Sequence, residues 1–148
     1  MENENYHTSF TTNVSAKDAF KKITNVSGWW SKHFEGKSEK QDDIFTVRFG
    51  AEGEKDMFKI QVTEVVSEKR IVWKVIDSKQ EWVKNPTEWT GTEIVWEIAS
   101  EKNGTKITMT HKGLVPEMEC YEKCEGAWNW LTSESLSKLL QENVGKPA

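Results

Sequence analysis

Residues 113–140 read GLVPEMECYEKCEGAWNWLTSESLSKLL and carry the longest helical pattern in the chain. Pro116 suits the first turn of a helix, and the acidic residues that follow it favour the same end electrostatically. Apolar residues then recur at steps of three to five positions and, at about 100° per residue, form one stripe: Tyr121, Cys124, Trp128, Leu131, Leu136 and Leu139. We therefore predict one long amphipathic helix over residues 117–142, which must lie on an equally apolar surface.

A series of strands in the preceding sequence supplies that surface. Period-two alternation of apolar residues predicts strands over residues 6–14, 44–49, 57–66, 70–77, 92–99 and 106–113. Two short helices are expected after the first strand, one capped by Ser15 and one beginning at Trp29. This order indicates an α+β fold, with a curved antiparallel sheet of six or seven strands around the long helix.

The hairpin between the last two strands leaves two registers open. A two-residue turn at Asn103-Gly104 pairs Trp96 with His111, whereas a four-residue loop over residues 101–104 pairs Ile94 with it. We predict the two-residue turn, because Asn-Gly readily adopts type I′ geometry. Both registers point Trp96 and His111 into the core.

Composition narrows the class of protein. A chain of 148 residues suits a single domain, which we expect to span residues 1–148. Charged residues make up 30% with both signs mixed, and the net charge of −4 argues against binding to nucleic acid or a basic membrane-binding face. No apolar run approaches the ~20 residues of a membrane-spanning helix, and residues 1–12 lack a signal-peptide pattern. We therefore expect a cytoplasmic protein without membrane insertion.

Several short motifs carry a family resemblance that covers nearly the whole chain. They are Trp29-Trp30, Gly36-Lys37, Trp89-x-Gly91-Thr92, the run THKGLVP over residues 110–116, Cys120-x-x-x-Cys124 and Gly126-x-Trp128. With the element order above, the sequence resembles the START/SRPBCC superfamily and, within it, bacterial homologues of the activator of a heat-shock chaperone ATPase. The resemblance implies a helix-grip fold with a hydrophobic cavity between sheet and helix. It does not choose among the superfamily's lipid carriers, hormone binders, cyclases and hydrolases.

Eight tryptophans in this chain must fill a core or line a pocket. An aromatic-rich core is one reading, and a ligand cavity with a few polar groups is the other. We expect the ligand-binding residues to be Trp73, Thr92, Trp96, Met109, His111, Tyr121, Trp128, Leu131, Thr132 and Ser135. We expect the cavity mouth to be formed by Trp29, Trp30, His33, Trp82 and Trp89.

The expected function is noncatalytic binding of a small hydrophobic or aromatic molecule. His111 with the hydroxyls of Thr132 and Ser135 would hold its polar end, since hydroxyls on a buried helix face need partners. One alternative is a cyclase or hydrolase that uses His111 with a water, although no nucleophile context accompanies it. The other is a chaperone-linked protein-interaction module, which the resemblance suggests.

Two further features bear on partners and cofactors. Cys120 and Cys124 lie on one side of a helix without a second ligand pair, so we expect reduced thiols, no metal site and no cofactor. Trp130 projects about 200° away from Trp128 and is expected to be exposed. An exposed Trp130 is a candidate contact for a homodimer or another partner.

Overall fold

A computed structural model of the chain describes residues 5–50, 56–81 and 83–147. The first half contains β1 (Tyr6–Thr12), α1 (Ala16–Thr24), a 3₁₀ turn (Val26–Gly28), β2 (His33–Gly36), β3 (Ile44–Phe49) and β4 (Asp56–Val66). The second half contains β5 (Arg70–Gln80), β6 (Glu93–Glu101), β7 (Gly104–Lys112), α2 (Tyr121–Trp130), a π-helical turn (Leu131–Leu136) and α3 (Ser137–Glu142). The last three elements follow one another without a break.

The seven strands form one antiparallel sheet in the order β1-β7-β6-β5-β4-β3-β2. The inward side chains of the central strands are fully or almost fully buried: Phe45, Val47, Phe58, Ile60, Val62, Ile71, Trp73, Val75, Ile94, Trp96, Ile98, Ile107, Met109 and His111. These positions alternate along each strand as predicted. The predicted α+β class and helix-grip architecture are therefore confirmed.

The closing helix covers this face with the predicted apolar stripe. Cys124, Trp128, Leu131, Leu136 and Leu139 are all buried, whereas Tyr121 at the first turn is half-buried. A helix cannot follow a twisted sheet along its whole length, so large side chains must fill the space between them. Indole rings do so at the centre of the core.

The closing helix begins later than predicted, at Tyr121 rather than residue 117. The backbone N–H groups of Met118 and Tyr121 donate to carbonyls three residues back, at 2.9 and 3.1 Å, so the residues before Cys120 form turns. The backbone N–H of Glu119 donates to the Glu88 carboxylate at 3.1 Å, and the Glu119 carboxylate accepts from the backbone N–H of Lys84 at 2.9 Å. These two contacts tie this segment to the loop after β5.

The predicted second short helix is only the 3₁₀ turn before Trp29, and His33 lies in a strand. The Ser31 hydroxyl donates to the backbone carbonyl of Arg48 at 2.6 Å and accepts from the backbone N–H of His33 at 3.1 Å. These bonds direct the chain into β2, where His33 pairs with Arg48 of β3. His33 therefore lies on an edge strand of the sheet and is absent from the helix that was predicted there, and its cavity-mouth role stays a prediction.

The predicted register of the last hairpin is also wrong, and the pairing is the alternative, with Ile94 opposite His111. Glu101 pairs with Gly104, so the turn consists of Lys102 and Asn103. Gly104 has φ +148°, and a Cβ there would lie 2.1 Å from the backbone carbonyl oxygen of Thr12. Gly104 therefore permits close approach of β1 instead of closing the turn.

Candidate functional site

An apolar groove opens between α2 and the ends of β3, β4 and β5, with a volume of about 440 Å³. We call it the aromatic groove. Its lining residues are Trp30, Phe49, Asp56, Phe58, Gln80, Trp89, Lys123, Cys124, Ala127, Trp128, Trp130 and Leu131. Its volume falls in the range of small-molecule sites, roughly 300–1,000 Å³.

Stacked rings form the walls of the aromatic groove. Trp89, from the loop after β5, stacks on Phe58 with ring centroids 4.2 Å apart and lies nearly parallel to Trp128 at 6.1 Å. Trp30 continues this wall, 5.1 Å from Trp128 and 6.3 Å from Phe49. Rings in such arrangements present both faces and edges, which suits a flat apolar ligand.

Gln80 supplies a buried polar group in this apolar lining. The residue is only 2% exposed, and its Nε2 donates to the Cys124 sulfur at 3.7 Å. Its Oε1 has no hydrogen-bond partner within the described part of the chain. An unpaired buried acceptor is costly, so a group that donates to Oε1 would be favoured there.

His111 lies behind the groove wall and connects two of its indoles, Trp89 and Trp128. It is fully buried, and its Nδ1 accepts a 3.0 Å hydrogen bond from the Trp128 indole N–H. Its Nε2 must then carry the proton and donate to the Thr92 hydroxyl at 2.9 Å, and that hydroxyl donates to the Trp89 carbonyl at 2.7 Å. Burial lowers the pKa of His111 to about 3, so the ring is neutral. His111 therefore positions Trp89 and Trp128.

The two hydroxyls of the helix stripe are also engaged. Thr132 donates to the backbone carbonyl of Trp128 at 2.8 Å, within its own helix. Ser135 donates to the backbone carbonyl of Trp29 at 2.5 Å and accepts from the backbone N–H of Lys146 at 2.8 Å. Both hydroxyls thus stabilise the helix and its neighbours, and neither lines the groove.

The structure brings four of the residues predicted for the site to the aromatic groove: Trp30, Trp89, Trp128 and Leu131. It places six in the core around it: Trp29, Trp73, Trp96, Met109, His111 and Ser135. Thr92 and Thr132 are also buried, Tyr121 is half-buried away from the groove, and Trp82 lies outside the described residues. That any of these residues contacts a ligand stays a prediction.

Sequence reasoning missed most of the groove's rim. Phe49 and Phe58 lie near the ends of strands that the sequence predicts, and that position is the signal that could have found them. Gln80, Lys123 and Ala127 carried no such signal, because only the packing of α2 against three strand ends brings them together. Trp130 lines the groove and is 45% exposed, which confirms its predicted outward position.

The described residues contain no group of three or more His, Cys, Asp or Glu side chains placed to hold a metal ion. Nor do they include a helix that is long and apolar enough to cross a membrane.

Comparison with known proteins agrees with this geometry. The Aha1 dimer from Colwellia psychrerythraea superposes with a TM-score of 0.70 at 18% identity, over 93% of this chain and 96% of that one. Protein SSP2350 from Staphylococcus saprophyticus superposes with a TM-score of 0.69 at 16% identity, over 96% of this chain and 95% of that one. Protein NE0264 from Nitrosomonas europaea superposes with a TM-score of 0.68 at 18% identity, over 97% of this chain and 98% of that one. None of the curated proteins compared with the chain matches it in sequence.

These structures share the fold, and at such identities they show nothing more. The sequence itself also matches a family model, described as Activator of Hsp90 ATPase homolog 1-like protein, over residues 14–141. That match covers most of the chain, including every element from α1 to the last complete turn of the closing helix. The chain therefore belongs to the Activator of Hsp90 ATPase homolog 1-like family, within the SRPBCC superfamily.

Proposed function

We propose that this protein binds a small apolar or aromatic molecule, without catalysis, in the aromatic groove. The observation that carries the proposal is the groove itself: a space of about 440 Å³ walled by indole and phenyl rings. Removing such rings from water is favourable, so a ligand of matching shape gains binding energy from their burial. The family's fold, which commonly holds hydrophobic ligands, supports the same proposal.

The proposal names a chemical class: a flat molecule with an apolar body and one hydrogen-bond donor. Trp89 and Trp128 lie nearly parallel, which suits a fused aromatic ring system. The unpartnered Oε1 of Gln80 favours a hydroxyl or amide N–H on that ring system. Phenolic and polyketide-like aromatics combine both features.

His111 is not a base in this proposal. Its two ring nitrogens are occupied by Trp128 and Thr92, and its pKa of about 3 leaves it neutral and weakly basic. A general base needs a free nitrogen within reach of the substrate. The site is therefore better suited to holding a ligand than to transforming one.

Isothermal titration calorimetry with naphthol and naphthalene tests the proposal. These probes share a ring system, but only naphthol can donate to Gln80. We expect saturable binding of both, tighter for naphthol, and loss of that preference in Gln80→Leu. Absence of saturable binding to either probe would refute the proposal.

A matched pair of variants tests the location. Ala127 is exposed on α2 and lines the groove, whereas a Cβ added at its neighbour Gly126 meets open space. Ala127→Leu should fill part of the groove and weaken naphthol binding about tenfold or more. A tenfold change corresponds to about 1.4 kcal/mol of binding free energy. Gly126→Leu adds more side-chain volume than Ala127→Leu does, but outside the groove, so it should leave naphthol binding unchanged. Equal effects of the two variants would place the ligand elsewhere.

A second candidate is a protein-interaction role, favoured by the exposed indole of Trp130. The neighbour from Colwellia psychrerythraea is a dimer, and the family description refers to a chaperone activator. In this reading Trp130 inserts into a partner, and the groove receives a side chain instead of a free ligand. Naphthol would then compete with self-association in sedimentation experiments, which the ligand-binding proposal does not require.

A further inference from the structure

Two cysteines lie next to each other at the start of α2, and one of them, Cys124, lines the aromatic groove. Cys120 is 1% exposed and Cys124 is 5% exposed, and both are free thiols. The Cys124 thiol donates to the Cys120 sulfur, with 2.7 Å between the two Sγ atoms. Cys124 also lines the groove, so a small molecule that enters the groove reaches the Cys124 sulfur, which is in contact with Cys120.

We propose that Cys120 and Cys124 form a reversible oxidation site, which hydrogen peroxide converts into an intramolecular disulfide that weakens ligand binding in the groove. The second half of this inference rests on the proposed function, and the first half does not.

The polar surroundings of the two thiols make them unequal. Donation by the Cys124 thiol lowers the pKa of Cys120 and outweighs the opposing effect of burial. The contact with Cys120 and burial both raise the pKa of Cys124. Gln80 donates to the Cys124 sulfur and lowers the pKa of that thiol, a smaller effect than the other two. Cys120 is therefore the nucleophile, because the thiolate is the reactive form.

The reaction balances with peroxide as the only co-reactant. The Cys120 thiolate attacks one peroxide oxygen, the O–O bond breaks, and the leaving hydroxide takes up the proton that Cys120 released, forming water. The Cys124 sulfur then attacks the Cys120 sulfenic acid, so that the S–S bond forms and the S–O bond breaks. The departing hydroxide leaves with the Cys124 proton as a second water. Two electrons pass from the sulfurs to the peroxide.

Closing this bond must move the start of α2. Residues four apart on a helix have Cβ atoms ~5–6 Å apart, whereas a disulfide requires about 3.5–4.5 Å. Cys120 is the residue before the first helical turn, so it is the partner that shifts. Its neighbour Glu119 contacts Glu88 and Lys84, on the loop that carries Trp89. The shift therefore passes through Glu119 to a wall of the groove.

Intact-protein mass spectrometry tests the oxidation site directly. Peroxide treatment of the wild-type protein should remove two hydrogens, and dithiothreitol should restore the original mass. With Cys124→Ser, dimedone should trap a sulfenic acid on Cys120, while Cys120→Ser should label far less. Wild-type protein that keeps its mass, or equal labelling of the two variants, overturns the assignment. This outcome does not depend on whether the groove binds a ligand.

Calorimetry with naphthol tests the link to the groove. The oxidised protein should bind naphthol about tenfold more weakly than the reduced protein, which is a usual size for coupling between sites. The double variant Glu88→Ala/Glu119→Ala removes both contacts of this route, and it should still form the disulfide but lose most of that difference. Equal naphthol affinity in both redox states of the wild type would overturn the link. A full difference in the double variant would overturn the route.

Discussion

The Trp128 indole N–H donates to Nδ1 of His111, and this 3.0 Å hydrogen bond fixes the neutral ring in the tautomer that protonates Nε2. The bond joins the closing helix to β7, and Thr92 extends it to the loop carrying Trp89. These three hydrogen bonds thus hold two of the indoles that wall the groove, Trp89 and Trp128. His111 acts on the groove through these groups, without lining it.

Replacing His111 by Leu should destabilise the fold by about 2–4 kcal/mol, because it leaves the buried Trp128 N–H without an acceptor and changes the core's shape. Chemical denaturation measures this loss. His7 provides the matched control, since it is an exposed histidine on β1. His7→Leu should change the free energy of unfolding by less than about 0.5 kcal/mol. A small effect of His111→Leu would show that the hydrogen bonds from Trp128 through His111 to Thr92 do not stabilise the core.

The same histidine predicts a dependence of stability on pH. Its pKa is about 3 in the folded protein against 6.5 for an unperturbed histidine, so the unfolded state binds its proton first. The stability that neutral His111 provides is therefore present above pH 6.5 and lost as the pH falls towards 3. The slope should approach about 1.4 kcal/mol per pH unit.

Comparison with His111→Leu isolates this effect from carboxylates that titrate in the same range. The difference in unfolding free energy between wild type and variant should shrink as the pH falls. A difference that stays constant between pH 6.5 and pH 4 would contradict the assignment of a neutral, buried His111.

The two stripe hydroxyls should differ in their effect on stability. Ser135→Ala removes the bonds to Trp29 and Lys146, groups far away in sequence, and should cost about 1–3 kcal/mol. Thr132→Val keeps the side-chain shape and removes a bond to its own helix, so its cost should be below about 1 kcal/mol. Denaturation curves measure both. Naphthol affinity should be unchanged in each variant. A loss of affinity in one of them would show that its hydroxyl contacts the ligand.

Trp130→Ala should separate binding from stability. The side chain is 45% exposed, so its removal should change the free energy of unfolding by less than about 0.5–1 kcal/mol. Naphthol affinity should fall several-fold, because one wall of the groove is lost. Val144→Ala, at a more exposed apolar residue outside the groove, is the control. Sedimentation of the same variants reports whether Trp130 also supports a dimer.

The sequence predicted the sheet well because strand periodicity is local. Alternation placed Trp73, Trp96, Met109 and His111 on the inner face, and the structure confirms each of them as buried. Because side chains alternate between the two faces of a strand, one inward residue fixes the face of every other residue in that strand. The family motifs led to the same fold independently.

The failures of prediction arise from contacts between distant residues. Glu88 accepts a hydrogen bond from the N–H of Glu119, 31 positions away, and so ties the segment before the closing helix to another loop. Thr12 approaches Gly104 so closely that the glycine serves the sheet and not the hairpin turn. The groove has the same character, since its walls come from a loop, a helix and three strand ends. No local sequence pattern predicts these contacts between distant residues.

Six indoles of the core form a continuous path of neighbouring rings: Trp29, Trp30, Trp73, Trp96, Trp128 and Trp89. Successive ring centroids along this path are between 5.7 and 6.5 Å apart. At such separations, excitation absorbed by one indole migrates to the others before it is emitted. Three rings of this path, Trp30, Trp128 and Trp89, line the groove, so a single acceptor bound there would quench the emission that follows absorption by any of the six indoles.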